Sequence, residues 1–288
     1  MYSTILISKN SRTGKLVGTH QKLDRAARRI LPKITPVPIN FPTSRQIIYF
    51  EGARGPDGLK RKSPGIDEPV HFIIPDTADR TLIDIALDHQ YNLTEALKND
   101  DIVRSSFEAA WLAHAITDGL TPAHHFPLSD AKEELMTEKE FIKIFGQPIK
   151  GIMHGKSPLE TARNNWLYWG ANGYMSKHVD FEYGFAITAA AMSYKSLYPV
   201  FTPGEIKNFD LKRQFLASLD KIHRLDMYHR FLNKGWTAEL AVEVKQILLP
   251  EIVKNIAFAW AEAIQNTEES QNAEKPQNTK KPQSTKES

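Results

Sequence analysis

The sequence contains no cysteine, which excludes disulfide bonds and thiolate metal ligands. Any bound metal would therefore be held by histidine and carboxylate side chains. The chain also lacks an apolar run near the roughly 20 residues that a membrane-spanning helix needs. At its start, the short apolar patch from Ile5 to Ile7 is too brief for the apolar region of a secretory signal. The lack of a visible signal favours a cytoplasmic protein over a secreted one, unless a leader lies outside this sequence, whereas the absence of cysteine does not decide the compartment.

The charge of the chain is small overall but unevenly distributed. The net charge is +3, yet residues 1–62 carry 13 Lys and Arg against three acids. A basic N-terminal segment suits an anionic partner such as a phosphate group, an acidic lipid surface or nucleic acid. A solvated cationic face explains the same bias equally well.

Apolar periodicity predicts a mostly helical protein. The expected helices span residues 19–31, 78–98, 101–118, 158–170, 176–198, 204–232 and 236–265. Between the first two, residues 32–75 hold eight prolines and predict a long connection with one short strand at Gln46–Phe50. The last 22 residues, from Thr267, are polar and predict a disordered tail. We therefore expect one all-α domain over residues 1–266 and a tail over residues 267–288.

The stretch WLAHAITDGLTPAHH, which begins at residue 111, combines potential metal ligands with helix-ending residues. His114 and Asp118 are four residues apart, so a helix presents them from one face. Gly119 and Pro122 then end that helix, and the turn brings His124 back toward the other two side chains. Imidazole and carboxylate groups held together in this way suit Zn²⁺. The spacing therefore predicts a metal site, and we expect the metal to be catalytic.

Histidine and acid pairs also have a simpler explanation. At a spacing of four on a helix they are common ion pairs worth a few tenths of a kcal/mol. However, His114 and Asp118 lie in an otherwise apolar run, where an unpaired charge is costly. A metal ion would be the partner of both groups. His125 is an alternative ligand to His124, and the spacing favours His124.

Three further segments carry similar residues. His20 lies in the first turn of the helix predicted over residues 19–31. Asp57 and His71 lie in the proline-rich connection, and His178 and Glu182 are four apart on the helix predicted over residues 176–198. Each would be weak evidence alone.

Taken in order, these residues resemble the zinc-dependent phospholipase C family and, more distantly, the single-strand-specific nucleases of the same fold. The resemblance covers residues 20–182, a little over half the chain. The family's hallmark H-x3-D-x3-P-x-H is matched from His114 to His124, and its downstream H-x3-E is matched by His178 and Glu182. Its aspartate followed fourteen residues later by His-Phe is matched by Asp57 with the His-Phe pair at positions 71 and 72.

The resemblance implies an all-α, phospholipase C/nuclease-like bundle with a zinc cluster. The implied ligands are Asp57, His71, His114 and Asp118 for one ion, His124, His178 and Glu182 for another, and His20 with Asp118 for a third. Secreted members complete the third site with an N-terminal tryptophan. No tryptophan precedes His20 here, so two zinc ions, or a third completed by another group, are both consistent.

The activity implied by the resemblance is phosphodiester hydrolysis by a zinc-activated water, with Asp57 accepting its proton. The expected substrate is a phospholipid or another phosphodiester, met at a membrane surface. A single-strand nuclease and a metal-binding helical protein without catalysis are the alternatives.

Overall fold

The computed structural model describes residues 8–9, 16–51, 54–57, 70–126, 135 and 152–273. Its α-helices are α1 (Thr19–Ile30), α2 (Ser44–Tyr49), α3 (Thr81–Lys98), α4 (Ile102–Leu120), α5 (Pro158–Trp169), α6 (Tyr174–Ala191), α7 (Pro203–Lys207), α8 (Leu211–His223), α9 (Met227–Lys234), α10 (Ala238–Glu243) and α11 (Leu249–Ala273). A two-residue antiparallel ladder pairs β1 (Ser8–Lys9) with β2 (Leu16–Val17). The predicted all-α fold class is confirmed for the described part of the chain.

Helix α11 forms the centre of the core. Its side chains at Ile252, Val253, Ile256 and Trp260 are fully buried, and it packs against α1, α3, α4 and α8. Burial of each large side chain contributes about 1.5–3 kcal/mol. The Trp260 indole N–H is also satisfied, because it donates to the Ala109 carbonyl on α4 at 3.1 Å. Residues outside the resembling region therefore support the helix that carries the central motif.

Helices α3 and α4 are the two consecutive helices that the periodicity predicts, and they pack against each other. Asp100 adopts a left-handed φ of 53° in the turn between them. The Asp101 carboxylate then caps α4 by accepting the N–H groups of Val103 and Arg104. This cap satisfies two of the unpaired donors at the helix start. Helix α4 extends two residues beyond the predicted end at residue 118.

The predicted strand at Gln46–Phe50 is wrong. Its β-branched and aromatic residues suggest a strand, but the segment forms helix α2. The reason is a capping box, in which Thr43 Oγ accepts from the Gln46 N–H and Gln46 Oε1 accepts from the Thr43 N–H. This reciprocal pair favours a helical first turn.

The long C-terminal helices are divided more finely than the periodicity predicts. Asp210 caps α8 through the N–H of Arg213, and Asp226 breaks the chain between α8 and α9 with a left-handed φ of 52°. A π-helical turn over Val244–Leu248 separates α10 from α11. Pro250 follows this turn and has no N–H for the preceding carbonyls, which favours a local widening of the helix.

The ends of two other predicted segments also move. Helix α6 stops at Ala191 rather than near residue 198, because Ser193 accepts from the Ser196 N–H and closes a turn there. The disordered tail does not begin at Thr267, since α11 continues to Ala273. The Thr267 hydroxyl is buried and donates to the carbonyl of Ala263. Residues 274–288 lie outside the described residues.

Candidate metal centre

The last two turns of α4 present His114 and Asp118 to the protein interior, where both are buried. Gly119 follows them, and a Cβ at that position would lie 2.5 Å from the Phe215 ring and 3.0 Å from Leu82. Glycine therefore lets α4 approach α8 and α3 closely. This packing fixes the end of α4 and the two side chains that it carries.

A 3₁₀ turn over residues 122–125 follows α4 and returns His124 to the same place. His124 Nδ1–H donates to the His71 carbonyl at 2.8 Å, and the Ile73 N–H donates to the His124 carbonyl at 3.1 Å. These opposed hydrogen bonds attach the proline-rich connection to the turn. His125 points elsewhere, and its Nε2–H donates to the Gly119 carbonyl at 3.0 Å. His124, rather than His125, is placed among the candidate ligands.

The first group of candidate ligands consists of Asp57, His71 and His114, whose ligand atoms all lie within 4.8 Å of one another. Asp118 Oδ2 lies 2.5 Å from His71 Nδ1 and 3.2 Å from His114 Nε2. Asp57 Oδ1 is 3.8 Å from His114 Nε2 and 4.0 Å from His71 Nδ1. The last two distances are too long for hydrogen bonds, but they suit two ligands of a shared cation.

The second group consists of His124, His178 and Glu182. Glu182 Oε1 lies 2.9 Å from His124 Nε2 and 3.1 Å from His178 Nε2. Because His124 Nδ1 donates to a carbonyl, Nε2 is the atom that faces Glu182, and it carries a lone pair there unless the ring is protonated. A lone pair and a carboxylate oxygen repel at this distance unless a proton or a cation lies with them. A metal ion bound by all three groups would remove the repulsion.

Asp118 connects both groups to the first helix. Its Oδ1 lies 3.4 Å from His20 Nε2, and its Oδ2 lies 3.5 Å from His124 Nδ1. The His20 ring also stacks on His114, with 4.1 Å between ring centroids. All eight residues selected from the sequence therefore meet in one buried cluster: His20, Asp57, His71, His114, Asp118, His124, His178 and Glu182.

The electrostatics of the cluster follow from burial and from its mixed charges. Burial opposes ionisation of Asp118, but His124 and His114 hold its pKa well below the usual range. Burial also opposes a charge on His114, yet Asp118 and Glu51 raise its pKa well above 6.5. Burial lowers the pKa of His71 from 6.5 to about 4, against its hydrogen bond to Asp118. Without a cation, a proton on His114 offsets the nearby carboxylates, and a divalent ion would compete with that proton.

Two acids of the cluster were missed in the sequence. Glu51 Oε2 accepts the Nδ1–H of His114 at 3.2 Å, and the Glu51 side chain is fully buried. Asp24 is 1% exposed, and burial followed by the charge of Glu51 raises its pKa well above the usual range. A signal was present, because the basic first 62 residues contain only three acids. Those acids are Asp24, Glu51 and Asp57, and all three are buried.

The residues of the cluster fit a divalent cation. His114 Nε2 faces the carboxylates of Asp57 and Asp118 and is buried with no hydrogen-bond partner among the described residues. Imidazole nitrogen and carboxylate oxygen together form the donor set typical of Zn²⁺ sites without cysteine. Buried histidine and acid groups that could hold a metal are therefore present, and they are drawn from segments far apart in the sequence.

Comparison of the chain with protein-family models, with curated proteins and with solved structures gives no significant match. The resemblance to the phospholipase C family therefore rests on the quoted motifs. No helix in the described part of the chain is long and apolar enough to cross a membrane.

Proposed function

We propose that this protein is a metal-dependent phosphodiester hydrolase of the phospholipase C type, with zinc as its cofactor. The observation that carries the proposal is the convergence of two buried ligand groups on the shared carboxylate of Asp118. Adjacent cation sites that share a carboxylate are the arrangement by which many enzymes cleave phosphoesters. A lone structural metal site would need only one such group.

The proposed ligands divide between the two groups. Asp57, His71 and His114 would hold one cation and His124, His178 and Glu182 the other, with Asp118 between them. When bound, the cations would lower the pKa of a water molecule toward about 7 and neutralise charge on the phosphoryl oxygens.

The protein itself would supply orientation and proton transfer. The hydrogen bond from His124 Nδ1 to the His71 carbonyl fixes the His124 tautomer, so Nε2 faces the site. Asp57 Oδ1 lies 3.8 Å from His114 Nε2. We assign Asp57 the role of accepting the proton of the attacking water, because it is a buried carboxylate at the first group.

The proposed substrate is a phospholipid, which the protein would reach at a membrane surface. Helix α6 carries His178 and Glu182 and packs against α5. On these two helices Trp166 is 71% exposed, Trp169 45% and Tyr174 47%. Exposed Trp and Tyr favour the interface between water and lipid. The same rings could stack on unpaired bases, which makes single-stranded nucleic acid the second candidate substrate.

The proposal is tested by assaying the zinc-loaded protein against phosphatidylcholine vesicles and single-stranded DNA, with and without chelator. We expect release of diacylglycerol and phosphocholine that chelator abolishes, and about 10²-fold or greater loss in Asp57→Asn. Cleavage of DNA alone would favour the nuclease. Bound zinc with neither activity would contradict the proposal and favour a metal-binding helical protein without catalysis.

A further inference from the structure

Asp24 is a buried acid with an unusual environment. It follows His20 by four residues on α1, so the two side chains lie on the same face. Its exposed fraction is 1%, and neither carboxylate oxygen accepts a hydrogen bond among the described residues. Leaving a carboxylate buried in this way is costly unless a proton or cation accompanies it.

Glu51 is a second buried acid with an unsatisfied oxygen. Its Oε2 accepts from His114 Nδ1, whereas Oε1 is buried with no hydrogen bond to any residue that the structure describes. In the described part of the chain, neither Glu51 nor Asp24 forms an ion pair with Lys or Arg. Burial and then the charge of Glu51 raise the pKa of Asp24, as expected for two buried carboxylates near each other.

His20 supplies a nitrogen ligand beside Glu51. The ligand atoms of His20, Glu51 and His114 lie within 4.8 Å of one another. His114 already directs Nε2 toward Asp57 and Asp118, and its Nδ1–H is used by Glu51. His20 and Glu51 are therefore the members of this group that are left to bind a further ion.

The resemblance implies a third cation at His20 and Asp118, which secreted members complete with an N-terminal tryptophan. We propose that Glu51 completes this site in the present chain, with Asp24 adding a second buried negative charge. Glu51 takes no part in the ligand set implied by the resemblance. The inference rests on the proposed metal centre, because the third ion would share its Asp118 carboxylate, 3.4 Å from His20. One imidazole with two nearby carboxylates suits Zn²⁺ or Mn²⁺.

The test is a titration of the metal-free, full-length chain with Zn²⁺, followed by calorimetry and by elemental analysis after gel filtration. The wild type is expected to bind three ions per chain. Glu51→Gln should bind two, and Asp24→Asn should weaken the third site by about 10–100-fold, as loss of an outer carboxylate does elsewhere. Asp84→Asn replaces an exposed acid on α3 and should keep all three.

Saturation of the wild type at two ions would overturn the inference, whatever the variants do. Retention of three ions by Glu51→Gln would also overturn it. In that case a shared proton, and not a cation, would accompany the carboxylates of Asp24 and Glu51 in the wild type. Two bound ions together with phosphodiester hydrolysis would remove only the third site and leave the proposed function standing. A chain that binds no zinc would remove both.

Discussion

Replacing Asp118 by asparagine should weaken zinc binding more than any other isosteric change in the cluster. The substitution keeps the size of the side chain but removes the charge that lies within 3.5 Å of four imidazoles. Only the contacts with His71 and His114, at 2.5 and 3.2 Å, are short enough for strong interactions. A cation that replaced these two contacts would gain at least as much from the carboxylate, at about 1.5–3 kcal/mol for each contact with a charged group. Loss of the Asp118 charge therefore corresponds to about 10²–10⁴-fold in metal affinity.

The assay is thermal unfolding of wild type and Asp118→Asn with saturating zinc and with chelator. A 100-fold loss of affinity removes about 2.7 kcal/mol of metal-dependent stabilisation, which lowers Tm by roughly 5–11 °C for a domain of this size class. Glu108→Gln is the matched control, because Glu108 is a buried carboxylate on the same helix that contacts His89 at 2.5 Å. It should lose stability equally with and without zinc. If Asp118→Asn keeps the full zinc-dependent rise in Tm, Asp118 does not belong to a metal site.

Three further predictions concern the end of α4 and the turn after it. His124→Ala should remove zinc from the group with His178. His125→Ala should keep the metal and lower the free energy of unfolding by only about 1–3 kcal/mol, because the Gly119 carbonyl loses its partner. Elemental analysis and urea unfolding distinguish the two variants, and equal zinc loss in both would contradict the choice of His124 as the ligand. Burial lowers the pKa of His125 from 6.5 to about 3. Between pH 6.5 and 3 the unfolded chain therefore binds more protons than the folded one. The free energy of unfolding should fall by up to about 5 kcal/mol as the pH drops through this range. Chelator-treated His125→Gln should show a shallower fall, and an unchanged pH profile would refute this origin. Gly119→Ala should lower the free energy of unfolding by about 1–2 kcal/mol, because overpacking against Phe215 outweighs the better helix propensity of alanine. An increase in the free energy of unfolding would contradict this and show that the Phe215 ring can move.

The sequence was most informative where ligands share one regular element. The spacing of His114 and Asp118 predicts a common helix face, and the glycine and proline after them predict the turn that returns His124. These local rules are short in range, and the structure follows them. The meeting of α4 with α6 and with the proline-rich connection could be expected only through the family resemblance, because no local rule relates residues so far apart.

Features that depend on tertiary contacts were not predictable. Glu51 lies after a segment whose β-branched residues suggested a strand, and nothing local showed that it would reach His114. The left-handed conformation of Asp226 divides a continuous apolar pattern into two helices. The aspartate alone did not predict this break, because aspartate also occurs on exposed helix faces. Helix α11 continues beyond its apolar residues because the Thr267 hydroxyl hydrogen-bonds to the Ala263 carbonyl within the helix and to the Thr94 carbonyl of α3.

The most direct test of the central claim is X-ray absorption spectroscopy at the zinc edge of the zinc-loaded, full-length protein. We expect nitrogen and oxygen ligands at about 2.0–2.2 Å with the outer scattering of several imidazole rings, and a second zinc at roughly 3.5–4 Å. A weaker imidazole signal in His114→Ala would connect that spectrum to this cluster. Zinc surrounded by oxygen alone, with no imidazole scattering and no neighbouring metal, would contradict the account.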